Sequence, residues 1–133
     1  MKHIELFNVH FGYEKGGAPV LAGIEFSVEK GSTLCVAGAN GSGKSTLLEL
    51  IAGTLTPTHG TIVVNGETSE AGGVTHNVGG AKSGGAANAV GMVFQEPDHQ
   101  LFMPTVCEDV MFGILKKGVQ PEAARRAALD ALG

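Results

Sequence analysis

The sequence predicts an α/β fold, and three observations carry the prediction. Ile24, Phe26 and Val28 alternate with Glu25, Ser27 and Glu29, the period-two pattern of a strand with one wet face. An uncharged apolar run at 33–37 leads into a glycine-rich loop, and an apolar helical pattern follows at once. Thr61-Ile62-Val63-Val64 ends in Asn65-Gly66, a hairpin-turn signal.

The elements follow in chain order. Residues 4–11 place Ile4, Leu6, Val9 and Phe11 on a strand whose alternation slips once, which predicts a bulge. The stretch 12–19, GYEKGGAP, is loop punctuation, and Lys30-Gly31 turns the chain after the second strand. Residues 33–37, TLCVA, suit a strand buried on both faces. The helix after the loop is expected to present Leu47, Leu48 and Ile51 on one face and to stop at Gly53. Residues 67–90 hold few charges and no aromatic residue, so they are read as a flexible Gly-rich loop. A strand is expected at 90–94, broken by Glu96-Pro97-Asp98. Thr105 and Glu108 form a capping box that opens a helix running to about Leu115. Pro121 opens a last helix that stops at Gly133.

Composition sets bounds on function. The 133 residues fit one small domain. Lys plus Arg number 9 against 13 Asp plus Glu, a net charge of −4 that argues against a nucleic-acid partner. Cys35 and Cys107 form no CxxC pair and fit a reducing cytoplasm. No apolar run approaches the ~18 residues of a membrane span, and the first residues lack the apolar stretch of a signal peptide.

One motif carries chemistry. Gly38-Ala39-Asn40-Gly41-Ser42-Gly43-Lys44-Ser45 matches GxxxxGK[ST] between an apolar run and a helix. Gly38, Gly41 and Gly43 let the backbone curl so that its N–H groups, with those of Asn40 and Ser42, face phosphate oxygens. The helix N-terminus adds a favourable dipole. Lys44 is expected on the β and γ phosphates, the Ser45 hydroxyl on Mg2+, and Thr46 near the α phosphate.

With the phosphate loop, HFGYEKG, PTHGTIVVNG and VGMVFQEPDHQLFMPTVCEDVMFG complete a set of motifs. The chain resembles the ATP-binding subunits of ABC transporters, most of all those of energy-coupling-factor and cobalt-type importers. The resemblance covers nearly the whole chain outside the Gly-rich segment. It implies a three-layer P-loop NTPase core with part of an antiparallel β subdomain, incomplete at its C-terminus, so that 1–133 form one partial ATP-binding domain of marginal stability. It implies ATP and Mg2+ as ligands, with Tyr13 stacking on adenine and Gln95 touching the metal and the attacking water. It further implies transmembrane partner subunits docking near 95–113, a second ATPase subunit in a dimer, and a peripheral place on the cytoplasmic face of the membrane. The transported substrate, a metal ion or a vitamin, is left open.

The resemblance also sets expectations that these residues do not meet. The family holds its metal and water with an acidic strand end, closes its partner's site with an LSGGQ-type helix start, and carries a switch histidine. Here Asp98 follows a break, Asp109 lies in a capped helix and Asp130 sits in a helical run. The Ser83-Gly84-Gly85 echo of the signature precedes Gln95, and the five histidines show no metal spacing. The 133 residues alone are therefore expected to bind nucleotide without turnover. A non-catalytic nucleotide-binding fragment is the alternative reading. A kinase would want a lid with arginines, and Arg125 and Arg126 are the only two; a GTPase would want NKxD, which is absent.

Overall fold

A computed structural model describes residues 2–71, 75–77, 90–96, 98 and 101–133, with backbone only at 75–77. The chain divides into two compact units, Met1–Met92 and Val93–Gly133.

The first unit is built on an antiparallel sheet. Strands β1 (Lys2–Phe11), β2 (Leu21–Glu29), β3 (His59–Val64), β4 (Glu67–Glu70) and β5 (Thr75–Asn77) lie in the order β2-β1-β3-β4-β5. The slip read in the first strand is real: pairing with β2 shifts register between Leu6 and Val9, and Asn8 adopts φ 48°. The extra residue lets Leu6, Val9 and Phe11 all reach the core although their spacing is not two throughout. β2 alternates as read, with Ile24, Phe26 and Val28 half-buried and Glu25, Ser27 and Glu29 exposed. Asn65 at φ 53° and Gly66 at φ 81° form the two-residue hairpin loop between β3 and β4, with Val64 opposite Glu67.

Helix α1 (Lys44–Ile51) covers one face of this sheet. Its core-facing side is Leu47, Leu50 and Ile51, packed with Leu6, Val9, Phe11, Leu21, Ile62 and Val64. Leu48, expected inside, is 48 % exposed, and Leu50 takes its place. Residues 47, 50 and 51 share one stripe at 3.6 residues per turn, which turns 48 towards solvent. The helix ends as expected at Gly53: the Thr54 N–H donates to Glu49 C=O and the Gly53 N–H to Leu50 C=O, at 3.0 and 3.1 Å.

Three segments depart from expectation. Residues 33–37 and 90–94 are not strands. A strand buried on both faces needs a hydrogen-bonded neighbour on each edge, and no described residue supplies one. Leu34 is accordingly 54 % exposed and Val93 85 %, while Val36 and Val90 still pack against the core. The segment read as a flexible loop at 67–90 contains β4 and β5. Its hairpin turn and ladder to β3 fix 67–70 although none of those four side chains is apolar. Residues 72–74 and 78–89, with the Ser83-Gly84-Gly85 echo, and His76's side chain, His99 and Gln100 lie outside the described residues.

The second unit is a helical pair, α2 (Val106–Lys116) and α3 (Pro121–Leu132), packed on each other. The capping box forms: the Glu108 N–H donates to Thr105 Oγ1 at 3.3 Å, and that hydroxyl donates to Glu108 Oε2 at 2.8 Å. Pro121 stands in the first turn of α3, and Ala124 and Ala128, one turn apart, are its buried residues. The two thiols are free, Cys35 exposed and Cys107 half-buried.

Candidate functional site

Helix α1 starts on Gly43 at φ 89°; among the described residues no side chain caps its N-terminus, and its first turn holds no acidic residue. The first intrahelical bond runs from the Leu47 N–H to Gly43 C=O at 2.9 Å. The N–H groups before it are the orphan donors of the helix start, in the direction favoured by the helix dipole. Such a terminus accepts an anion.

Glycine is required at 43 by both conformation and space. A Cβ there would stand 2.8 Å from Leu21 Cδ2 and 3.3 Å from Val20 C=O. The loop before it turns through Gly41 at φ 78°, with the Ser42 N–H bonded to Ala39 C=O at 3.2 Å. Gly38, Asn40, Ser42 and Ser45 are exposed along this loop.

Lys44 folds back over the loop. Its ammonium donates to Gly38 C=O at 2.8 Å and Ala39 C=O at 2.7 Å, with Ser42 Oγ at 3.5 Å. All three acceptors are neutral, and among the described residues no carboxylate pairs with it. The loop thus holds a full positive charge at its mouth, beside uncapped helix N–H groups.

Tyr13 joins this arrangement from the loop after β1. Its hydroxyl lies 3.0 Å from Thr46 Oγ1, and Thr46 is buried. The ring meets Phe11 edge-on at 5.0 Å and remains 65 % exposed. One end of the tyrosine is fixed to the helix start while its ring stays open to solvent, where a flat apolar group can stack. Phe11 and Thr46 as supports of Tyr13 escaped the sequence reading; the Phe-x-Tyr spacing after the bulge was the available signal. A cleft of about 720 Å3 beside this loop, lined by Glu14, Lys15, Pro19, Thr56 and Thr58 among others, escaped it too.

The structure therefore brings together Tyr13 and residues 38–46 within the first unit. Gln95 belongs to the second unit and is exposed. None of the three aspartates after α1 ends a strand. Asp98 is exposed and its C=O accepts from the Leu101 N–H, Asp109 Oδ1 accepts from the Phe102 and Met103 N–H groups, and Asp130 is exposed on α3.

Comparison with known proteins decides the family. The ABC transporter family model matches residues 21–132. The chain belongs to the ABC transporter family. A putative ABC transporter ATP-binding protein of Geobacter sulfurreducens is 44 % identical over 87 % of this chain and 43 % of its own length. The energy-coupling factor transporter ATP-binding protein EcfA of Methanosphaera stadtmanae is 40 % identical over 97 % of this chain and 44 % of its own. The chain spans less than half the length of these two relatives. Among solved structures, cbiO1 of Clostridium perfringens, described as part of the ABC transporter complex cbiONQ, superposes with a TM-score of 0.72. It is 29 % identical and aligns over 98 % of this chain and 48 % of its own. An ATP-binding cassette solved as a dimer with ADP and Pi, 24 % identical, gives a TM-score of 0.70 over 97 % of this chain and 55 % of its own, a likeness of fold. The α/β ABC ATPase architecture expected from the sequence is thereby shown. Among the described residues, no helix is long and apolar enough to cross a membrane.

Proposed function

We propose that this chain binds Mg-ATP on residues 38–46 as the energising subunit of an ABC-type importer, in which binding and hydrolysis drive a membrane partner. One observation carries the reading. The Lys44 ammonium is held over the loop by neutral carbonyls, beside a helix N-terminus with neither cap nor acidic residue. That pairing of a cation held only by neutral acceptors, among the described residues, with orphan N–H groups is what a polyphosphate needs.

The residues fit the ligand. Main-chain N–H groups of the loop suit the phosphates, and the exposed Tyr13 ring suits the base. Ser45, exposed on the first turn, would hold Mg2+, and the family resemblance adds Gln95 to that metal and to the water. Bound Mg-ATP supplies the phosphoanhydride and the cation that neutralises its charge. The named functions of EcfA and cbiO1 support transmembrane subunits as partners, received by residues near 95–113. A peripheral place on the cytoplasmic face of the membrane goes with the same reading, on the family resemblance. A second ATPase subunit in a dimer belongs to the same reading, on the family resemblance.

A second reading, a nucleotide-binding fragment without turnover of its own, is favoured by the three aspartates, each engaged or exposed away from any strand end. Equilibrium dialysis with labelled Mg-ATP, run beside a phosphate-release assay, separates the two. Binding with Lys44-dependent release supports the transport ATPase for this chain as it stands. Binding without release supports the fragment. No binding refutes both.

A further inference from the structure

His10, near the end of β1, and His59, which opens β3, are cross-strand partners. Their ring centroids lie 5.7 Å apart, with the planes at 74°. A zinc-class ion stands about 2.0–2.1 Å from each imidazole nitrogen, which is about 1.1 Å from its ring centre. For ligand angles of about 110–130°, two rings sharing one ion then have centroids about 5.1–5.7 Å apart. The observed separation falls at the open end of that range.

The ring of His10 is already oriented. Its Nε2 lies 3.0 Å from Asn8 Oδ1. An amide oxygen only accepts, so in the neutral ring this contact selects the tautomer with the hydrogen on Nε2 and the lone pair on Nδ1. A partner oxygen fixes the tautomer of metal-ligating histidines in the same way.

The backbone beneath both rings is locked as well. The Thr58 N–H and the Thr58 hydroxyl both donate to His10 C=O at 2.9 Å. Gly60, next to His59, lies so close to Asn8 that a Cβ would overlap the Asn8 carbonyl, and Asn8 itself is held at φ 48°. The phosphate loop uses none of these residues.

We propose that His10 and His59 form a two-histidine site for a borderline divalent transition ion of the zinc class, oriented by Asn8. Neutral imidazoles suit zinc, nickel or copper rather than magnesium or calcium. Two protein ligands leave the remaining positions to water or to a donor from outside the chain.

The test is calorimetric titration of the tag-free full chain with ZnCl2, beside His10→Ala, His59→Ala and Asn8→Gly. Asn8→Gly keeps a residue that tolerates positive φ and removes only the orienting oxygen. One saturable zinc event is expected, not displaced by equimolar Mg2+, weakened at least tenfold by either histidine substitution and about tenfold by Asn8→Gly. Circular dichroism checks that the variants keep the wild-type fold. Absence of saturable zinc binding, displacement by Mg2+, or unchanged affinity in any of the three folded variants overturns the proposal.

Discussion

Replacing Gly43 by Ala loads the phosphate loop in two separable ways. At φ 89° any L-residue enters the left-handed region, at a cost of about 1–2 kcal/mol. The new Cβ also stands 2.8 Å from Leu21 Cδ2 and 3.3 Å from Val20 C=O. Leu21 belongs to the buried core, so the methyl group overpacks a filled space, which costs about 1–3 kcal/mol. The expected loss is therefore about 2–5 kcal/mol. Gly41 supplies the internal control. It has φ 78° and nothing within 4 Å of an added Cβ, so Gly41→Ala carries only the backbone part, about 1–2 kcal/mol. Urea denaturation followed by circular dichroism gives both values from the shift in midpoint at constant slope. Gly43→Ala is expected to be the more destabilised of the two. Equal losses, or a neutral Gly43→Ala, would refute the close approach of the loop to Val20 and Leu21.

Other substitutions test other parts of the structure. Gly60→Ala combines φ 87° with backbone overlap at Asn8 and a 2.6 Å approach to Phe7 C=O, and is expected to cost more than about 4 kcal/mol by urea denaturation. Leu50→Ala should lose about 2–5 kcal/mol, whereas Leu48→Ala, on the exposed side of α1, should stay within about 0.5 kcal/mol of wild type; equal losses would contradict the observed helix face. Tyr13→Phe keeps the ring against Phe11 and removes the partner of the buried Thr46 hydroxyl, with an expected loss of about 0.5–1.5 kcal/mol in the same assay.

What the sequence made legible was local. The alternation of β2, the Asn65-Gly66 turn, the Gly53 stop and the Thr105–Glu108 box are each set by residues within a few positions of one another, and each forms. The bulge in β1 was legible because the slip from Leu6 to Val9 breaks a short-range period. Segments 33–37 and 90–94 were misread because their apolarity reports a preference for burial, while strand formation depends on neighbours the segment does not contain. The face of α1 was misassigned at Leu48 because three leucines lie within four positions and only packing on Leu6 and Ile62 selects among them. At the candidate site, the glycines and Lys44 were readable as a contiguous motif. The Tyr13–Thr46 link spans 33 positions and depends on how β1 lies against α1, which no local pattern encodes.

Nucleotide recognition at residues 38–46 is tested most directly by calorimetric titration of the full chain with Mg-ATP, beside Lys44→Ala. Among the described residues Lys44 bonds only to the carbonyls of Gly38 and Ala39 and the hydroxyl of Ser42, so its removal withdraws the cation of the loop without opening a core cavity. Saturable binding by wild type, lost in a Lys44→Ala variant that keeps the wild-type circular dichroism, is the expected result. Equal affinity in the two proteins, or no saturable heat from a folded wild type, would contradict it.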